Sequence, residues 1–544
     1  VLLSFNTFRG MAPRIAPERL AKGFAVIAKN CRFDNGNLRP AFANVPVKAL
    51  ARTVRSVFRL GRTQPDDTLY WLGWAAAGVK AVYGAIAGDT SERLYFTGDG
   101  PPKVTNLQLA VNGATVFPNV SYRLGIPAPA SAPTVAKAST SSATDLPVDR
   151  FYAVTYVSAW GEEGPPSPAS SILAVKPGES VQLSNIPVAP TGAYQISTKR
   201  IYCSTEAVGG SDVLVLVGEI PVAQASFTHS TAITGNEEQI STLDYDMPPD
   251  SLAGLIELPN GVMAGYAGND VLFCEPYLPY AWPKKYGLSA GAPIVGLGHF
   301  GQTLVVLTKG QPYLVTGVDP AGMSMERADL PQACVSAASI ASIGAGVIYA
   351  SPDGLCYIGD GGAKVLTQPL MAREDWQAIA PDTMQGFWQD NAYVALVTVA
   401  GQQRGYVFSD LFTDQPSMST FDTDAVTGFV DLQNDALYLA NVTGTITKFG
   451  MPGAGLASMQ WRGAPVRLDG VPPFPWLRVL AASYPASVSL IADGTTIPLT
   501  VASSMPVRTP LGWVGKLQLE VQGGGEVEAV QLAHDSQEFA GGGA

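Results

Sequence analysis

The one stretch of this 544-residue chain with the spacing of a catalytic motif is Gly287-Leu-Ser-Ala-Gly291, which matches the G-x-S-x-G elbow that presents a nucleophilic serine. That elbow has to lead into a helix, whereas Pro293 and an apolar β-type run follow here, so the match is read as chance. A serine nucleophile also needs a base. The three histidines, His229, His299 and His534, lie in unrelated segments, which supports neither a triad nor a histidine metal site. Asp422-Thr-Asp424 with Gly428 has the outline of a calcium loop, but Gln433 stands where the bidentate glutamate belongs, so the stretch is read as a turn. Phosphate-binding loops, cysteine pairs at zinc spacing and basic stripes interleaved with aromatics are missing. The residues predict a chain that is not an enzyme and takes no metal or cofactor.

The elements around these residues repeat. Paired apolar runs joined by turns of Gly, Asn or Asp begin near residues 261, 302, 346, 391 and 435, a period of 41 to 45 residues that suits one four-stranded propeller blade. Both faces of each strand are apolar, so each unit must bury one face on the unit before it and one on the unit after. Strands at Val54-Arg-Ser-Val-Phe, Thr68-Leu-Tyr-Trp, Val79-Lys-Ala-Val-Tyr and Arg93-Leu-Tyr-Phe carry the same turn chemistry between residues 50 and 126, room for two more blades and so about seven.

Composition changes at Pro127-Ala-Pro-Ala-Ser-Ala-Pro133, and about seven short strands follow in some 110 residues, the pattern of a fibronectin-III or immunoglobulin-like sandwich inserted between blades. The repeat stops after Phe449-Gly-Met-Pro-Gly453. Beyond it a hairpin around Asp493-Gly494 and the alternating Lys516-Leu-Gln-Leu-Glu-Val521 read as a small β-sandwich. The expected layout is all-β: an N-terminal basic arm and hairpin over 1–50, propeller over 51–126, the inserted domain over 127–246, propeller again over 247–455 and a C-terminal β domain over 456–544.

The net charge of −11 is unevenly spread. Residues 1–62 hold 12 Lys or Arg against Glu18 and Asp34, leaving 22 basic and 43 acidic side chains over the other 482 residues. A basic segment on an acidic body steers and orients docking on another surface, and Arg9, Arg14, Arg19 and Lys22 are the candidate partner interface. Five widely spaced cysteines in apolar contexts read as buried thiols, which fits assembly in a reducing cytoplasm. The uncharged run Leu330–Pro352 is broken by Gln332, serines and a Gly/Ala stretch and stays in register with the repeat, so no stable membrane insertion is expected.

Several segments carry a family resemblance: Gly23-Phe-Ala-Val-Ile-Ala-Lys-Asn-Cys31 with Asn35-Gly-Asn-Leu-Arg-Pro40, Tyr156-Val-Ser-Ala-Trp-Gly-Glu-Glu-Gly-Pro-Pro-Ser-Pro168, Met247-Pro-Pro-Asp250, Glu275-Pro-Tyr-Leu-Pro-Tyr-Ala-Trp-Pro283 and Ser351-Pro-Asp-Gly-Leu355. Together they resemble the tail nozzle, or packaged-DNA-stabilisation, proteins of short-tailed bacteriophages. That resemblance implies a structural virion protein, assembled in the host cytoplasm and located in the tail, that forms a ring of six around the DNA exit channel. It implies as partners a head-to-tail adaptor or portal ring above, a tail fibre, spike or needle protein at the side or tip, and non-specific contact with packaged double-stranded DNA. An acidic channel wall agrees with this, because a conduit that neutralised phosphates would hold its cargo. The competing reading is a host-surface carbohydrate-binding or depolymerising propeller. Sugar sites need clustered Trp with paired carboxylates, and Trp282, Trp376, Trp388 and Trp461 occur singly, as core residues do.

Overall fold

A computed structural model gives the architecture and describes residues 2–86, 89–113, 117–206 and 212–539. Among the described residues the regular elements are mostly strands, and the chain divides into two compact units, one of Val1–Gly78, Val295–Leu314 and Glu326–Ala544, the other of Val79–Ile294 and Val315–Met325.

In the first unit, short strands joined by tight turns form sheets in sequence order, as in propeller blades. One runs through Ala341–Ser342, Gly346–Ser351, Gly354–Gly359 and Gly362–Val365. The next runs through Gln385–Gln389, Ala392–Val399, Gln402–Ser409 and Ser417–Phe421. The period-2 alternation of the strands explains how they stack. Val347 and Tyr349 face Val305 and Leu307, while Ile348 and Ala350 on the opposite face meet Tyr393, Ala395 and Val397. Val394 and Leu396 then meet Leu437 and Leu439, and Tyr438 and Ala440 meet Val54, Val57 and Trp71. Each full burial of such a side chain is worth about 1.5–3 kcal/mol.

The sheet of Ala425–Asp431, Ala436–Asn441 and Thr445–Lys448 takes its fourth strand from the other end of the chain, where Val45–Ala49 pairs antiparallel with Thr445–Lys448. Beside it Ser56–Arg59 and Trp71–Trp74 form a two-stranded sheet. Arg59 and Asp431 link the two sheets by a buried ion pair of 2.7 Å. The Arg59 guanidinium also donates to the Asp66 carbonyl at 2.9 Å, and Asp431 accepts from the Gln433 amide at 3.0 Å and the Asn434 side chain at 2.9 Å.

Residues 1–50 therefore differ from the arm expected of them. The Cys31–Arg32 and Arg39–Pro40 hairpin forms around Asp34–Gly36 as its turn chemistry requires, but the flanking strands are structural. Leu2–Phe5 pairs with Val527–Ala533, and Ala25–Lys29 lies between Met459–Gly463 and Ser417–Phe421, joining the C-terminal strands to the sheet of 385–421. Phe5, Phe8, Ala25, Ala28 and Leu38 share one core with Trp461, Leu477, Leu490, Leu519 and Val530. The core of the C-terminal strands is thus completed by the N-terminal fifty residues, within one compact unit.

In the second unit, Lys80–Tyr83, Leu94–Thr97, Lys103–Thr105 and Tyr122–Arg123 form one antiparallel sheet. Ala253–Glu257, Met263–Ala267, Asp270–Phe273 and Leu288–Ser289 form another. Between them in sequence, the sheet of Thr134–Lys137, Val181–Ser184 and Phe227–His229 shares a core with that of Tyr152–Ser158, Ile196–Glu206 and Asp212–Pro221. These two sheets are tied to the strands before them: Ile126 packs with Tyr156 and Ala189, and the Arg93 guanidinium lies 2.8 Å from Glu162. Burial raises the Glu162 carboxyl above its ordinary range despite that guanidinium.

All five cysteines are buried free thiols. Burial pushes Cys31, Cys274 and Cys334 up to about 12, so the reactive thiolate is scarce at neutral pH. Ellman's reagent should label well under about one thiol per native chain within minutes, and all five cysteines after denaturation. Replacing Arg59 by Met should cost about 3–5 kcal/mol in urea unfolding by leaving Asp431 buried and unpaired; a loss below about 1 kcal/mol would show that the ion pair does not hold the two sheets together.

Candidate functional site

The four candidate residues lie on one excursion of the chain whose two ends are fixed. Phe8 packs edge-on to Trp461 at 4.9 Å between ring centroids, and the Trp461 indole donates to the Arg9 carbonyl at 3.0 Å. The Arg9 amide donates to the Gly23 carbonyl at 2.9 Å, and Met11 and Met418 exchange amide hydrogen bonds at 2.7 and 3.0 Å. Two glycines permit this closeness. A Cβ on Gly10 would stand 2.6 Å from the Met418 carbonyl oxygen, and Gly23 sits at φ +94 with the Thr7 carbonyl 2.8 Å from where its Cβ would be.

The excursion between these clamps is the loop of residues 13–22. Pro17 opens a short 3-10 turn, Pro17–Arg19, and Leu20 tucks against the core beneath the sheet of 385–421. The structure brings Arg14, Arg19 and Lys22 together on this loop with their side chains exposed, and Ile15 stands out with them at 41% exposure. The Arg14 guanidinium donates to the Gln368 carbonyl, and its amide to the Leu370 carbonyl at 2.9 Å. The loop's one acid, Glu18, is paired with Lys516 at 2.8 Å, which holds its carboxyl below the usual range. Arg9 is separated from the other three: it is half-buried, donates to the Gln415 side chain and lies 5.4 Å from the Phe24 ring centre.

Sequence reading missed the second feature of this unit. A cleft of about 1520 Å³ opens between residues 30–44 and the turns of the sheets at 385–421 and 425–448. Half-exposed rings of Phe33, Phe42, Phe421 and Phe449 line it, and exposed Asp390, Asp410, Asp414 and Asp435 stand around it. Three of these aspartates have left-handed backbones, Asp390 at φ 49, Asp410 at φ 59 and Asp435 at φ 43, a conformation that Asp and Asn tolerate in turns. Their sequence signal was turn chemistry alone, which says nothing about a shared cleft.

The remaining motif residues are engaged by other protein groups. Ser289 lies in a two-residue strand, not on an elbow, with its hydroxyl on the Asp270 carboxylate. Asp422 is paired with Lys29 at 2.9 Å and Asp424 accepts from the Asn441 side chain at 2.9 Å, so this turn is held by protein groups. Among the described residues no cluster of His, Cys, Asp and Glu could hold a metal ion. Trp282, Trp376 and Trp461 are buried.

Replacing Arg14, Arg19 and Lys22 together by Gln should move urea stability by only about 0.5 kcal/mol for each site. Trp461→Ala should cost about 3–5 kcal/mol and release the N-terminal segment to proteolysis. A triple Gln variant as damaged as Trp461→Ala would show that the loop is part of the core.

Neither a protein-family model nor a curated protein sequence matches the chain. Solved structures that are similar in part include PorZ, a bacterial surface component of the type-IX secretion system of Porphyromonas gingivalis, at 10% identity and TM-score 0.26, over 60% of this chain and 43% of that one. The Neurospora crassa Pan2 WD40 domain is similar at 10% identity and TM-score 0.29, over 74% of this chain and 98% of that one. BamB from Moraxella catarrhalis is similar at 11% identity and TM-score 0.28, over 74% and 99%. The chain spans less than half the length of PorZ. Scores this low carry nothing about activity or partners, and the propeller-type assignment rests on the strand order and stacking described above.

Proposed function

We propose that this chain is a structural virion protein, the ring-forming nozzle or tube subunit of a short bacteriophage tail, with about seven propeller blades, a fibronectin-III-like insert and a C-terminal β domain. The observation that carries the reading is the mounted basic loop: Arg14, Arg19 and Lys22 are exposed, and both ends of the loop are fixed by sheet pairing and the Trp461 hydrogen bond. A surface that is rigid before its partner arrives binds more tightly, because ordering it on contact costs about 0.5–1.5 kcal/mol for each immobilised side chain. The sequence resemblance supplies the kind of assembly: six copies around a DNA channel, below an adaptor or portal ring and beside a fibre, spike or needle. The surplus of acids outside residues 1–62 suits a wall past which DNA moves.

Native mass measurement and negative-stain imaging of the purified full chain, or of particles that contain it, test the proposal. The expected result is a closed ring at about six times the monomer mass. A monomer as the only species both in solution and in the particle would overturn it.

A further inference from the structure

The cleft described above is larger than the roughly 300–1,000 Å³ of ordinary small-molecule sites, and its character is that of a peptide groove. Its volume is about 1520 Å³, its aromatic rings are only half-covered, and its exposed charge is negative. The cations that line it are already engaged. Arg9 donates to Gln415, the Arg32 guanidinium lies 3.8 Å from the Phe42 ring centre, and Lys448 sits 3.9 Å from Asp67. Among the described residues, no basic side chain pairs with Asp390, Asp410, Asp414 or Asp435. The cleft therefore presents an apolar floor inside an uncompensated acidic rim.

One exposed segment of the same chain has the complementary character. The loop of residues 13–22 carries Arg14, Arg19 and Lys22 around exposed Ile15, and its one acid is neutralised by Lys516. Within a single chain this loop is tied to Gln368 and Leu370 and lines no part of the cleft. A loop of this kind that enters the cleft therefore comes from another copy.

We infer that the basic loop of one subunit docks in the aspartate-rimmed cleft of the next, with Ile15 against the aromatic floor and Arg14, Arg19 and Lys22 facing the four aspartates. The two surfaces differ, so the contact is head-to-tail, the kind that closes into rings or runs on into filaments. Fully desolvated apolar anchors supply most of such a contact's affinity, while rim charges set its orientation and its dependence on salt. This inference rests on the ring reading for its purpose and not for its observations.

Directed cross-linking between full-length chains tests it. The native cysteines are buried, so an Ile15→Cys chain mixed with a Thr413→Cys chain, or with an Ala457→Cys chain on another part of the cleft wall, should yield a covalent dimer with a short bis-maleimide. Thr496→Cys, on an exposed position of the C-terminal sheet, is the control. The yield should fall about tenfold when Asp410 and Asp414 are changed to Asn, and also in molar salt, where the Debye length shrinks to about 3 Å.

Oligomers that form while Ile15→Cys joins to the cleft no better than to the Thr496→Cys control would overturn this contact and leave the ring reading standing. Specific cross-links that give only dimers or open chains would support the contact and count against the ring. The absence of both oligomers and cross-links would overturn both. Cross-linking that is specific but indifferent to salt and to the aspartates would overturn the charge-matched docking proposed here.

Discussion

The first unit depends on a pairing between distant parts of the chain, Val45–Ala49 against Thr445–Lys448. Without it the sheet of 425–448 ends in a row of unsatisfied amides and carbonyls, an open template for pairing with other chains. Once the strand is in place, its continuation is placed too. The Leu50 amide donates to the Gly444 carbonyl at 2.9 Å and the Val54 amide to the Val442 carbonyl at 3.1 Å, and Arg59 then reaches Asp431. Because the ion pair is buried, it contributes more to fixing position than to net stability. Removing either partner alone leaves a charge with no solvent, and that penalty enforces the arrangement.

The same logic of closure by distant strands recurs where Leu2–Phe5 and Ala25–Lys29 complete the C-terminal sheets. Pairings that join residues 2–49 to residues 417–533 carry a large loop-closure cost before they return any stabilisation, so this unit belongs to the slow-folding, non-local class. It also follows that the hydrophobic core around Trp461 cannot form from the C-terminal residues alone.

Much of the repeat was legible because its cause is local. Strands such as Gly346–Ser351 and Ala392–Val399 are apolar on both faces, and the structure uses both, with Val347 and Ile348 turned to different neighbouring sheets. The hairpin at Asp34–Gly36 was legible for the same reason. What sequence could not give was long-range pairing. Val45-Pro-Val-Lys-Ala reads as the end of a basic arm, and nothing in its own residues says that its partner lies four hundred positions away. Pro46 is tolerated because this is an edge strand, where a missing amide donor costs little. The cleft was hidden likewise, since its walls come from turns that are ordinary in isolation.

The woven N-terminus also changes what the basic charge of residues 1–62 does. Much of it acts inside the unit: Lys29 on Asp422, Arg39 on Glu526 at 2.9 Å, Arg59 on Asp431 and Arg32 over Phe42. Asn37 and Arg39 together hold the Glu526 carboxyl below its ordinary range, so that pairing persists into mildly acidic solution. Of the basic side chains left exposed, Arg14, Arg19 and Lys22 share one ten-residue loop, while Lys48, Arg55 and Arg62 lie elsewhere. At physiological salt, exposed charges act over only about 8 Å, so such a loop recognises a surface it nearly touches and does not attract one from afar. A flexible arm would have to be ordered at the moment of contact. A loop clamped at Met11 and Gly23 has that ordering done during folding, and more of its interaction energy remains for holding the partner.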